Sequence, residues 1–130
     1  MQFSRIELIS SMAKVSEFIG RLNSGELVKK VTNLGLTGIT VYNALGCGVQ
    51  NGMAEYMPEI KNYPIQLLPK SVICIICEMD KVYDMVEFLK TELYTGHIGD
   101  GKIFISEVNN VIRVRTGEEG ADALKKSTID

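Results

Sequence analysis

Tryptophan is absent from this 130-residue chain, aromatic residues make up only 7 %, and there is a single histidine. With so few rings, any core has to be built from aliphatic side chains. No stretch approaches the ~20 consecutive apolar residues that a membrane helix requires. Neither sign of charge prevails: fourteen basic and sixteen acidic residues leave −2, so there is no global field for wrapping nucleic acid or coating an anionic membrane. Residues 1–11 (MQFSRIELISS) carry one arginine and no long apolar stretch, which excludes a secretory leader there. Cysteine is scarce too, at three residues. Cys74 and Cys77 have C-x-x-C spacing but sit in SVICIIC, a strand-like run, where positions three apart point to opposite faces and cannot pinch a metal together. Small apolar residues in a reducing cytosol account for all three cysteines.

What is present is ordinary in amount: 45 % apolar and 23 % charged residues, enough for one well-cored domain and incompatible with a disordered chain. Residues 5–9 (RIELI) alternate as a strand, and Ser10 and Ser11 offer N-caps to a helical stripe of Met12, Val15, Phe18, Ile19 and Leu22. Asn23-Ser24-Gly25 interrupts that stripe. A second one, Leu27, Val28, Val31 and Leu34, follows out of phase, which predicts two helices or a sharp kink rather than one long rod, ended by Gly35. A β-branched strand is predicted at 38–45 and a nearly continuous apolar strand at 71–77. Asp80 is placed to cap a helix carrying Val82, Met85, Val86, Leu89 and Leu93. Strands at 102–106 and 111–115 complete the order. A β-α-β-β-α-β core predicts an α+β ferredoxin-like sandwich, with helices on one face of an antiparallel sheet. Its other face is then bare, which predicts an oligomer.

The twelve glycines cluster. Residues 46–52 (GCGVQNG) open a long segment with little periodicity and two prolines, ended by Pro69, as expected of a functional loop. Residues 95–102 (TGHIGDGK) satisfy the first part of a Walker pattern, but Ile103 stands where the Mg²⁺-holding hydroxyl would be. The segment also joins helix to strand rather than strand to helix. The parts of an anion site remain: three glycines let backbone N–H groups converge beside the Lys102 charge. A tight turn that simply needs glycine geometry is the competing explanation. Arg113 and Arg115 alternate on the predicted last strand, so their guanidinium forks share a face and suit phosphate, or face solvent. Lys70 adds a cation where the long loop ends. His97 has no Ser, Cys or carboxylate at motif spacing, and no zinc pattern is present. These residues predict an anion-binding, nucleotide-type domain with no catalytic set.

Residues 95–104 (TGHIGDGKIF) followed by 111–124 (VIRVRTGEEGADAL) resemble the C-terminal signature of the PII nitrogen-regulatory signalling proteins. LTGIT at 36–40 with GCGVQ at 46–50, and Leu68-Pro69-Lys70, resemble the segments flanking that family's T-loop. The resemblance implies one domain over 1–124, with a T-loop at 47–68 and a flexible tail at 125–130. The N-terminal part departs from the family pattern: the helical stripe favours a helical insertion at 10–25, and a gapless match that makes 15–20 the first strand is the alternative. It implies a cytoplasmic homotrimer that binds ATP or ADP in clefts between subunits, senses 2-oxoglutarate, and docks its T-loop on an ammonium transporter or a nitrogen-metabolism enzyme. No nucleic acid and no membrane insertion are implied, and the protein is a regulator rather than an enzyme. Carried over, the nucleotide-binding residues are Thr40, Gly48, Gln50, Gly99, Asp100, Gly101, Lys102, Arg113 and Arg115. Gln50 and Lys70 would hold 2-oxoglutarate, with Gln50 also facing Mg²⁺ beside the phosphates. Val49, Cys74 and Asn51 replace residues common in the family, and Tyr56 and Tyr63 lack its Y-R-G-x-E-Y context. A sensor of another small anion, or a slow nucleotide hydrolase, is the alternative reading.

Overall fold

The computed structural model describes residues 2–47, 67–97 and 100–125. The chain runs β1 (Phe3–Ser10), α1 (Met12–Asn23), α2 (Val28–Leu34), β2 (Thr40–Gly46) and β3 (Leu68–Glu78). A 3₁₀ turn (Met79–Lys81), α3 (Val82–Leu93), β4 (Lys102–Val108) and a single turn of helix, α4 (Ala121–Leu124), follow. The four strands form one antiparallel sheet in the order β2-β3-β1-β4, the ferredoxin-like arrangement. β1 and β3 are therefore central, and β2 and β4 are the two edges.

Register decides which side chains meet. Ile6 lies opposite Ile75 and Ile105, and Leu8 opposite Ile73 and Ile103. Because side chains alternate across a strand, Ile6, Leu8, Ile73, Ile75 and Cys77 share one face. That face is the core, buried against Val15 and Phe18 of α1, Leu27, and Met85, Phe88, Leu89 and Leu93 of α3. Phe18 and Phe88 meet edge to face at 5.9 Å. The opposite face holds Arg5, Glu7, Tyr42, Cys74, Ile76 and Phe104, with the Tyr42 hydroxyl donating to Glu7 at 2.9 Å. Phe104 is 53 % and Tyr42 46 % exposed there.

The local signals are legible in the helix ends. The Ser11 side chain accepts from the Lys14 backbone N–H at 3.3 Å, capping α1. Gly35, at φ +70, ends α2 in the left-handed conformation. Residues 15–20 lie inside α1 and β1 precedes it. Two expectations are corrected. Asp80 is not an N-cap: it lies within the 3₁₀ turn, and the residue at the start of α3 is Lys81, with no side-chain cap bond. Residues 111–115 are not a strand. They fold back in a tight loop, in which Ile112 bridges Glu119 and the Gly117 N–H bonds the Arg113 carbonyl at 2.8 Å. With Asn109-Asn110 and a glycine at each of positions 117 and 120, both at positive φ, the chain turns too tightly for a fifth strand.

Candidate nucleotide and anion site

Two neighbourhoods collect the residues singled out from the sequence, and they lie on opposite edges of the sheet. At the β2 edge, the segment 111–125, which includes the single-turn α4, crosses the sheet face opposite α1 and α3 near the start of β1. Gly120 lies against the Phe3 ring, and the Thr37 hydroxyl donates to the Leu124 carbonyl at 2.7 Å. Between that segment and the sheet is a cleft of about 450 Å³, lined among others by Gly38, Thr40, Cys74, Ile76 and Arg113. This lies within the usual ~300–1,000 Å³ of small-molecule sites. Burial pushes the Cys74 thiol up from its ordinary value, with Glu7 adding to the effect, so Cys74 presents a neutral thiol.

Arg113 reaches the cleft for a reason the sequence did not reveal. Its guanidinium donates to Glu118 at 2.9 Å and to the Ala123 carbonyl at 3.3 Å, and it also bonds the Lys125 carbonyl. Arg113 thus ties the returning segment to itself. Arg115 lies in the turn at 114–116, so the expected pair of guanidinium groups projecting from one strand face is not formed. Thr40 and Arg113 line the same cleft, whereas Lys102 does not.

At the β4 edge is the glycine turn. Gly96 and Gly101 both have positive φ, at +80 and +101. A Cβ on Gly101 would stand 2.0 Å from the Ile9 carbonyl oxygen, so the glycine lets this turn pass against β1. The turn already contains its own anion. The Asp100 carboxylate accepts the backbone N–H groups of Thr95 and Gly96, each at 2.9 Å, and also the Thr95 hydroxyl and the Lys14 ammonium. Lys14 reaches the Thr95 oxygen as well, at 3.2 Å. The Lys14 bond, followed by those from Thr95, holds the Asp100 carboxyl well below the usual carboxylate range. Two backbone N–H groups of the turn, those of Thr95 and Gly96, converge, and Asp100 takes both. Lys102 is exposed at the start of β4. Lys14 was missed from the sequence: a lysine in the first turn of a helix carries no mark of a partner so distant in the chain.

Lys70 lies half-buried on β3 opposite Ala44, its Cγ close beside Gly46. Gly48, Val49, Gln50, Asn51 and Gly99, with the T-loop tyrosines and the tail 126–130, lie outside the described residues. Among the described residues no group of three His, Cys, Asp or Glu side chains could hold a metal ion, and no helix is long and apolar enough to cross a membrane.

Comparison with known proteins decides the family. The family model "Nitrogen regulatory protein P-II" matches residues 12–118. The chain belongs to the P-II family. The P-II protein of Bradyrhizobium diazoefficiens is 39 % identical over 113 residues, which is 87 % of this chain and all of that protein. That of Azospirillum brasilense is 37 % identical over the same length and coverage. A solved Bacillus subtilis GlnK–ATP complex is 30 % identical, with a TM-score of 0.68, covering 95 % of this chain and 96 % of that one. Arabidopsis thaliana PII bound to citrate has a TM-score of 0.67 at 26 % identity, covering 96 % and 92 %. As a P-II protein, the chain is a nitrogen regulatory signalling protein with the family's ferredoxin-like fold. The P-II match begins at residue 12, so β1, at Phe3–Ser10, stands ahead of the matched stretch.

Proposed function

We propose that this P-II protein is a homotrimeric sensor that binds ATP or ADP in clefts shared between protomers and reports occupancy to a target protein through residues 47–68. The observation that carries this reading is the separation of the two half-sites. Thr40 and Arg113 lie at the β2 edge, and Asp100, Gly101 and Lys102 at the β4 edge. A site using both halves needs one edge from each of two neighbouring protomers. The exposed Phe104 and Tyr42 on the sheet face opposite α1 and α3 supply apolar area for such an assembly. The GlnK–ATP neighbour supports adenine nucleotide as the ligand class.

In this reading Gly99, Asp100, Gly101 and Lys102 border the phosphates. Arg113 and Arg115 approach from the adjacent protomer, and Thr40, Gly48 and Gln50 form the opposite wall. Gln50 and Lys70, at the two ends of residues 47–68, hold 2-oxoglutarate beside Mg²⁺ and nucleotide. The ligand then favours one state of the segment and with it one partner affinity. The partner is an ammonium transporter or a nitrogen-metabolism enzyme in the cytoplasm, and regulation rather than catalysis is the role. Residues 10–25 act as a helical insertion within a single domain spanning 1–124. Titration calorimetry with ATP, ADP and Mg²⁺-ATP plus 2-oxoglutarate tests the ligands, and light scattering tests the trimer. No heat from any nucleotide at millimolar concentration would remove the reading.

Cys74 favours a second reading. Its neutral thiol lines the cleft where the family commonly has a glutamate, so the site would take another small anion instead of 2-oxoglutarate. A thermal shift with such a metabolite, and none with 2-oxoglutarate, identifies this case.

A further inference from the structure

We infer that Lys14, on α1, is a positioning residue for the glycine turn and sets its affinity for anionic ligands through Asp100. The inference deepens the nucleotide reading above and rests on it.

The turn that borders the proposed phosphate site contains a carboxylate, Asp100, two residues from Lys102. A bare carboxylate there would repel a phosphate and offset the Lys102 charge. Two features of the turn prevent this. The Thr95 and Gly96 backbone N–H groups and the Thr95 hydroxyl hold Asp100 inside the turn. The Lys14 ammonium, brought from the first turn of α1, neutralises it and grips Thr95 as well. Lys14 and Asp100 are both largely covered, with side chains 22 % and 25 % exposed, so the pair is less screened than a surface one. The Ser11 cap fixes the start of α1, and Gly101 packs against the Ile9 carbonyl just before it, so β1, α1 and the turn meet at one corner. Lys14 leaves the corner with a net positive charge from Lys102. Without it, Asp100 cancels that charge and loses a bond that keeps it turned inward.

The expected consequence grades with ligand charge. Lys14→Met should weaken ATP by about five-fold, ADP less and AMP hardly at all, and high salt should shrink the effect. Lys14→Arg should restore most of the ATP affinity. Because Lys14 acts through Asp100, Lys14→Met should change ATP affinity less than two-fold in an Asp100→Asn background.

The experiment is calorimetric titration of the full chain and these variants with ATP, ADP and AMP at low and high salt, with thermal unfolding followed on each. Loss graded by ligand charge, rescued by arginine and absent in the Asp100→Asn background, supports the inference. Equal ATP affinity in Lys14→Met and the unsubstituted chain overturns it while leaving the nucleotide reading intact. An unsubstituted chain that binds no ATP overturns both. Should Lys14→Met alone fail to fold, the doubly substituted chain is compared with Asp100→Asn. Matching ATP affinities support action through Asp100, and a further large loss overturns it.

Discussion

At the scale of single residues, the glycine turn is held by its own carboxylate. The depressed Asp100 carboxyl has a sign that can be measured. A carboxylate whose folded value lies below its unfolded one stabilises the fold fully above the ordinary value of about 3.8, and that contribution is lost as pH falls below it. Stability should therefore fall with acid more steeply in the native chain than in Asp100→Asn, as urea unfolding at stepped pH would record. Gly101 allows a second measurement. Gly101→Ala forces a Cβ into the Ile9 carbonyl at a positive φ, and should cost more than about 2 kcal/mol by the same method. The turn itself was legible in the sequence, since glycine clustering marked it. The sequence could not reveal that Asp100 answers the N–H groups, because hydrogen-bond partners follow from how the chain closes and not from which residues are neighbours. The same limit explains Arg113, which was expected on a strand and instead lies in the returning segment that it fastens. Arg113→Ala should accelerate hydrogen exchange over residues 121–125, in addition to weakening nucleotide.

At the scale of elements, hydrophobic period was a reliable guide and turn chemistry less so. The strands at Phe3–Ser10, Thr40–Gly46, Leu68–Glu78 and Lys102–Val108 lie where alternation or β-branching placed them, and the phase slip at Asn23-Ser24-Gly25 does separate two helices. The failure at 111–115 has a physical cause. Alternating VIRVR fits a strand, but a strand needs a partner, and β4 turns instead through Asn109-Asn110 into a loop closed by Gly117 and Gly120. The two early helices are joined to α3 by an ion cluster invisible to periodicity. The Glu92 side chain, only 4 % exposed, accepts from Arg21 of α1 at 2.6 Å and Lys30 of α2 at 2.5 Å. Burial pushes the Glu92 carboxyl up, but these bonds together outweigh it and hold it below its usual value. Glu92→Ala removes the common anion and should lower stability by about 1–3 kcal/mol. The effect should be concentrated in exchange protection of α2, which buries none of its own residues.

At the scale of the whole molecule, the sheet face opposite α1 and α3 sets what the chain can do alone. Phe104→Glu places a charge on that face without touching the core, so light scattering should report monomers if the face is covered by other copies, with nucleotide affinity falling in step. An unchanged mass would mean that the face is not the assembly surface. The sheet order has a consequence for how the fold is reached. β1 lies between β3 and β4, so Ser10 has to find Ser71 and Ile9 has to find Lys102. Neither closure is local, and each costs loop entropy before any sheet bond repays it. The central strand therefore waits for distant parts of the chain. Folding should be slow for a domain of this size, and substitutions across the β1–β4 seam should retard folding less than they hasten unfolding.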